Sequence, residues 1–311
     1  MKKLSVLLIL ASSFLIVGCG GNQTSSSSLE VKETFKAIMP SGTPSLGLAT
    51  FIKDNNDVCE IVNGSDPLVA ALKNATYDIV VAPVNLGAKF YNSNPTYQLF
   101  ETFVWGNTYI ASLEPLTTFQ DLDGVTVTGF GANSTPDIVL RSLETHYNID
   151  INIEYVDDVA TANTQLVAGK SNIIVSAEPA LSKIKTKKTV YTIDLQEEWN
   201  KAFGVKSYPQ AGIFVHKDKA SSLTNTLTSM KNAVLATMEN PSSTAKAACE
   251  VNETFATLGE EVLTSSIPNC HYGFSDNQKT AVESYFNQMN SLGLSAGYGG
   301  NLPDENFYFS I

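Results

Sequence analysis

The 311-residue sequence predicts an α/β protein built as two similar lobes. Three observations carry that expectation. Short apolar runs bounded by turn residues alternate with amphipathic stretches, the pattern of parallel strands joined by helices. The unit recurs: "LVAALKNATYDIVVAPVNLGAKF" (68–90) aligns with "TQLVAGKSNIIVSAEPALSKI" (164–184). The openings match too, a strand, Gly and Thr43-Pro44-Ser45 against a strand, Gly and Thr135-Pro136-Asp137. The offsets are 92 residues from Thr43 to Thr135 and 96 from Pro83 to Pro179. That period is too long for a solenoid, so it describes two lobes and not an array.

Taken in order, the chain opens on Met1-Lys2-Lys3, an apolar run from Leu4 to Val17, and Gly18-Cys19. A basic start, a short apolar run and a small residue at the cut predict a signal peptide over 1–18. Ile16-Val17-Gly18-Cys19 resembles the bacterial lipobox, which implies lipidation of Cys19 as the new N-terminus. The Gly/Ser/Thr/Asn-rich stretch that follows cannot bury a core and predicts a flexible tether over 19–33. Nothing else is long and apolar enough to cross a membrane.

The first lobe is expected over 34–112, joined later by 214–311. "TFKAIM" predicts a strand, Ser45–Lys53 a helix, "CEIV" a strand, Pro67–Asn74 a helix and "DIVVA" a buried strand, with a helix beginning near Leu86. "TFVWGNTYIAS" (102–112) alternates Trp105, Asn107 and Tyr109 on one face of a strand. The second lobe is expected over 113–213, where "GVTVTGF", "INIEYV" and "NIIVSA" predict strands and Pro136–Tyr147 and Ala160–Ala168 helices. "QAGIFVHKD" (210–218) then reads as a strand returning to the first lobe, followed by helices near 221–240, 242–257 and 276–291. The crossings fall near 110–118 and 208–216, and two crossings allow the lobes to hinge.

Composition narrows the function classes. The formal charge of −11 becomes −13 once Lys2 and Lys3 leave with the signal. An acidic body argues against nucleic acid and against lying on an anionic membrane. Cys59, Cys249 and Cys270 match no zinc or redox spacing; Cys249 and Cys270 flank one segment and could form a disulfide, whereas Cys59 reads as an apolar filler in a strand. His146, His216 and His271 lie in separate segments without metal spacing. No nucleophile–base set converges on one place, so neither a cofactor, a metal nor catalysis is expected.

The residues with binding chemistry sit just after strands. Gly42-Thr43-Pro44-Ser45-Leu46-Gly47 has the glycine spacing of a phosphate loop, but Leu48 and Ala49 stand where Lys and Ser/Thr are needed. What the turn offers is a helix start, with Thr43 as cap, Pro44 in the first position and free N–H groups near Ser45. Asp66-Pro67 and Thr135-Pro136 repeat the device. In open parallel sheets such starts lie at the strands' carboxyl ends, where ligands bind. Pro83-Val84-Asn85 and Glu178-Pro179 also follow buried strands; Glu178 either accepts from a ligand or caps the next helix. Trp105 and Asn107 suit a planar ligand or, equally, a core.

Together the lipobox, the tether, two α/β lobes and a double crossing resemble the substrate-binding lipoproteins of ABC importers. The nearer likeness is to the nitrate, sulfonate/taurine and thiamine-pyrimidine-precursor group, which has the type II periplasmic-binding-protein fold. It rests on "DIVVAPVNLGAKFYN" (78–92), "TFQDLDGVTVTGFGANSTPDIVLRSL" (118–143), "LVAGKSNIIVSAEPALSK" (166–183) and "YPQAGIFVHKD" (208–218), and spans roughly 34–308. The resemblance implies ligand contacts at Ser41, Thr43, Asn85, Thr135, Asp137 and Glu178. The expected ligand set adds Gly42, Ser45, Asp66, Trp105, Asn107, Ser134 and Gln210.

The resemblance further implies a monomer, held to the outer face of the cell membrane by lipid alone, that captures a small molecule by lobe closure and delivers it to permease and ATPase subunits. Yeast relatives that make pyrimidine carry a Cys-rich motif absent here, which argues against an enzyme. The cleft segments hold Asp66, Asp137, Glu178 and Trp105 but no Arg or Lys, with Lys89 and Arg141 one turn further along. Unpaired carboxylates repel an anion, so the ligand is expected to be a neutral or weakly cationic planar heterocycle. A nitrate-, sulfonate- or taurine-type receptor and the ligand-binding subunit of a membrane sensor are the alternatives.

Overall fold

The computed structural model describes residues Glu33–Ile311 as one compact unit; the signal peptide, Cys19 and most of the tether expected from sequence lie outside the described residues. The chain alternates strands and helices. β1 (Ala37–Pro40) leads through α1 (Thr43–Gly47) and α2 (Ala49–Asp54) to β2 (Cys59–Val62). α3 (Asp66–Asn74), β3 (Ile79–Pro83), α4 (Val84–Ser93), β4 (Tyr97–Val104) and β5 (Thr108–Ser112) follow. Next come β6 (Thr126–Phe130), α5 (Thr135–Tyr147), β7 (Asn152–Val156), α6 (Val159–Val167) and β8 (Ile173–Ala177). The second half ends with α7 (Ala180–Lys185), β9 (Tyr191–Asp194) and α8 (Leu195–Phe203), before β10 (Ala211–His216). Helices α9 (Thr224–Glu239), α10 (Pro241–Val251), α11 (Glu253–Leu258), α12 (Glu260–Ser266) and α13 (Gln278–Ser291) complete the order.

The strands form two five-stranded sheets, β2-β1-β3-β10-β4 and β7-β6-β8-β5-β9. In each, three strands run parallel and one antiparallel strand, β10 or β5, is inserted beside the third. The run "IVVAP" of β3 and "IIVSA" of β8 are buried on both faces, as covered parallel strands must be, while the edge strands β2 and β7 are half-exposed. The internal near-repeat of the sequence is thus a repeat of sheet order.

The crossings sit earlier than the periodicity suggested. The stretch 102–112 is two strands, not one: β4 ends in the first sheet at Val104 and β5 opens the second at Thr108. Gly106 breaks the alternation with φ of +93°, and a Cβ there would lie 2.4 Å from Gln196 Cγ. Residues 108–112 therefore belong with the second sheet, not the first lobe as expected. The return is complete by Ala211, whose strand pairs with β3 and β4, so 211–213 belong with the first sheet. One predicted helix, 45–53, is broken at Leu48, and another, 242–257, is α10 and α11 parted at Asn252.

Each sheet has its own apolar packing, and one cluster of buried side chains runs from the first sheet to the second. Its bridge is aromatic. Trp199 of α8 lies 5.5 Å from Tyr208 and 5.9 Å from Tyr285 of α13, centroid to centroid, and Phe286 stacks on Tyr298 at 4.5 Å. Among the described residues Cys59, Cys249 and Cys270 are free, which corrects the expected Cys249–Cys270 bridge. Cys270 is fully buried, with its thiol toward Ser266 O, while the Cys249 thiol faces Phe255 O. Cys59 is only half-buried, since its strand is an edge. No helix among the described residues is long and apolar enough to cross a membrane.

Candidate functional site

The topology brings the carboxyl edges of the two sheets face to face. β4 leaves the first edge and β5 enters the second with only Trp105, Gly106 and Asn107 between them. Gln210 stitches the first edge together: its N–H donates to Val104 O (3.0 Å) and its carbonyl accepts from Val84 N (3.3 Å). On the second edge Glu178 N donates to Asn107 O at 3.0 Å.

Where the edges meet, a buried polar knot joins residues 43, 107 and 178. Thr43 Oγ1 donates to Glu178 O (2.9 Å), and Asn107 Nδ2 donates to both Thr43 Oγ1 (2.6 Å) and Glu178 O (2.9 Å). Thr43, Asn107 and Glu178 are 2%, 6% and 2% exposed, so water does not compete for these bonds. Tyr272, from the C-terminal region, donates its hydroxyl to Thr43 O at 2.7 Å and braces the turn from behind. Three positions on separate segments, all expected from sequence to contact a ligand, thus converge.

Their roles differ in detail from the expected ones. Gly42, with φ of +105°, is the position before α1, so Thr43 is not its cap and its hydroxyl is free to cross to Glu178. Ser45 Oγ turns back to Gly42 O (3.2 Å), and Ser41 N pairs with Val62 O. The Glu178 carboxylate accepts from Ser182 N and Ser182 Oγ, both at 3.0 Å, and so serves the start of α7; what it presents to the opposite lobe is its main-chain carbonyl. Burial pushes the Glu178 carboxyl above its ordinary value, against the lowering pull of Ser182.

Asp137 is likewise satisfied by its own lobe. It takes Arg141 Nε (3.2 Å) and Nη2 (3.0 Å), Asn133 N (2.7 Å) and the Tyr155 hydroxyl (2.5 Å). It is therefore not the unpaired carboxylate expected from sequence, and Arg141 is not a spare cation. Lys89 is exposed, and Gly299 packs close to its Cα. Asp66 is exposed at the start of α3, after the outermost strand β2, away from the knot. Thr135 is buried at the first position of α5, with Ser134 half-buried before it; neither Ser134 nor Ser65 caps its helix with a side chain.

Trp105 is a structural pin: its indole N–H donates to Gly273 O (3.0 Å) and its carbonyl accepts from Ser207 Oγ (2.6 Å). Asn85, second residue of α4, places Nδ2 3.5 Å from Gly297 O. A further interlobe cluster escaped the sequence reading. His271 Nε2 lies 3.0 Å from Asp194 Oδ2 and 3.1 Å from the Tyr109 hydroxyl, which itself donates to Asn269 O. Asp194 also caps α8 through Gln196 N and Glu197 N. Burial raises its carboxyl, but His271 and the two N–H groups outweigh that and hold it below the ordinary range. His271 and Asp194 are 77 positions apart, so no local signal announces this pair.

No protein-family model and no curated protein sequence matches the chain. Solved structures do. An ABC transporter structure from Parabacteroides distasonis matches with a TM-score of 0.75 and 21% identity, over 89% of this chain and 98% of that one. The aliphatic sulphonate binding protein of Escherichia coli matches at 0.65 and 11%, over 84% and 87%. A Candida albicans gene product described as having the generic periplasmic binding protein fold matches at 0.51 and 10%, over 84% and 90%. The chain has the two-lobed type II periplasmic-binding-protein fold, with the cleft between lobes joined by two crossings.

Proposed function

We propose that the protein is the extracytoplasmic solute-binding lipoprotein of an ABC importer, which captures a small planar organic solute by lobe closure and hands it to a permease. The observation that carries this reading is the knot of Thr43, Asn107 and Glu178. Residues at the carboxyl edge of each sheet bond directly across the cleft, and a segment of three residues forms the hinge between them. Such a contact makes the lobes-together state a distinct minimum that a ligand can select. Two of the fold neighbours, an ABC transporter structure and a sulphonate-binding protein, point the same way.

The sulphonate-binding neighbours favour a second reading, an anion receptor of the same class. Against it stands Arg141, whose charge is neutralised by buried Asp137, so this guanidinium is not free to offset a sulfonate. We therefore assign a neutral or weakly cationic heterocycle, taken up without chemical turnover by a monomer whose Cys19 carries the lipid. A thermal-shift screen of vitamins, pyrimidines, amines, nitrate and sulfonates on residues 30–311 tests it. Stabilisation by a heterocycle, recovered unchanged, is expected; at one hundred times its Kd the gain is about 2.7 kcal/mol. A response to nitrate or sulfonates alone refutes the ligand class, and product formation refutes the receptor.

A further inference from the structure

Three carboxamide oxygens in the described residues are buried without a hydrogen-bond partner: Asn85 Oδ1, Asn107 Oδ1 and Gln210 Oε1. All three lie at the facing strand edges. Asn85 follows β3, Gln210 precedes β10, and Asn107 precedes β5. Because β10 sits between β3 and β4, Gln210 lies midway between the other two. Neighbouring strands are about 4.8 Å apart, so the first edge spans about 10 Å from Asn85 to the crossing, the length of a small heterocycle with its substituents.

The polarity of two of these groups, Asn107 and Asn85, follows from their other contacts. A main-chain carbonyl can only accept, so the Asn107 atom facing Glu178 O must be the amide nitrogen. The oxygen is the atom left over. The same reasoning holds for Asn85, whose nitrogen faces Gly297 O. Buried polar atoms are rarely left unpaired, and an unpaired acceptor can be satisfied only by a donor. The other unpartnered atoms are hydroxyls and one indole N–H, of which Thr108 Oγ1 lies beside Asn107 at the same edge; none is a carboxamide oxygen.

We infer that Asn85, Asn107 and Gln210 select a ligand that donates hydrogen bonds, an amino-substituted heterocycle or a primary amine with at least two N–H groups, and reject acceptor-only anions. This rests on the reading of the interlobe cleft as the ligand site. A nitrate or sulfonate has no proton to give these oxygens, and a site built around hydrogen bonding discriminates strongly against a ligand that cannot make the bonds. Arg141, spent on Asp137, offers such an anion no compensation.

The test is a two-part calorimetric and thermal-shift experiment on residues 30–311. One arm uses donor-rich probes (cytosine, 2,4-diaminopyrimidine, nicotinamide, tyramine, spermidine) and the other acceptor-only probes (butanesulfonate, nitrate, benzoate). Binding confined to the donor arm is expected. The tightest probe is then titrated into Asn85→Asp, Asn85→Leu and Gln210→Leu, each checked for an unchanged circular-dichroism spectrum.

Asn85→Asp keeps an acceptor but loses the donor to Gly297 O, so it should retain more binding than Asn85→Leu. Each Leu variant should lose about tenfold or more. Methylating the probe's amino nitrogens should cost the parent protein the same. Loss of binding in Asn85→Asp with retention in Asn85→Leu would overturn the assigned polarity. Binding confined to the anion arm would overturn it while leaving the receptor reading intact. Silence in both arms would remove the ligand cleft itself, and the selection with it.

Discussion

Asp194 does two jobs with one carboxylate. It caps α8 through Gln196 N at 2.8 Å and Glu197 N at 3.1 Å, and it reaches His271 in the C-terminal region after α12. Replacing it with Ala should cost about 1–2 kcal/mol at pH 7 for the cap alone. The sign of the pH dependence follows from the lowered carboxyl. Its stabilisation is complete above the ordinary value of 3.8 and fades as pH falls below it toward the folded-state value. Denaturant titrations at pH 7 and pH 3 should therefore find the gap between parent and Asp194→Ala wide at pH 7 and narrower at pH 3. A gap independent of pH would exclude the charge as its source. Glu178 has the opposite sign: its raised carboxyl makes burial of the charged form a cost that grows as pH rises past 4.5. The two donors of Ser182 offset part of that cost.

The element that holds the first edge in place is α4, which starts where β3 ends and carries Asn85 on its first turn. It lies flat on β10 because Gly87 has no side chain. A Cβ at that position would sit 2.0 Å from Phe214 Cζ, inside the ring of a fully buried residue. Gly87→Ala gains about 1 kcal/mol of helix propensity but forces the ring or the helix to move, which costs about 1–3 kcal/mol or more. At a 2.0 Å approach we expect overpacking to win, with a lower melting temperature by differential scanning calorimetry and weaker ligand binding because Asn85 moves with the helix. A variant at least as stable as the parent would show that α4 rides free of β10.

For the molecule as a whole, the proposed lobe closure makes the knot at Thr43 the contact expected to favour lobes together over lobes apart. Thr43→Val keeps the branched shape and removes the hydroxyl that links Asn107 to Glu178. The hydroxyl makes two buried bonds, each worth about 1 kcal/mol, so their loss shifts the two-state balance at least several-fold. Small-angle scattering of the ligand-free variant should give a larger radius of gyration than the parent. The ligand should restore the parent value, at an affinity several-fold weaker. Unchanged scattering and affinity would mean that the aromatic bridge of Trp199, Tyr208 and Tyr285 alone holds the lobes. That bridge is not hinge-like, since α13 packs on α5 of the second half while Phe286 and Tyr298 carry it to α4.

Sequence alone determined the alternation of strands and helices, the duplication of the lobe and the turns after β1, β3, β6 and β8, because these depend on local periodicity and turn chemistry. It also singled out Thr43, Asn107 and Glu178, which the fold brings into hydrogen-bond contact. Tertiary structure decided what each group is free to do. Glu178 and Asp137 are spent on Ser182 and Arg141, the Trp105 indole on Gly273, while the oxygens of Asn85, Asn107 and Gln210 remain unpaired. The crossings, too, were settled only by pairing, since Thr108–Ser112 reads as a continuation of β4 until Ala177 and Asp194 claim it. Local propensity specifies which residues carry polar groups, but whether a buried group has a partner depends on segments that meet only when the chain has folded.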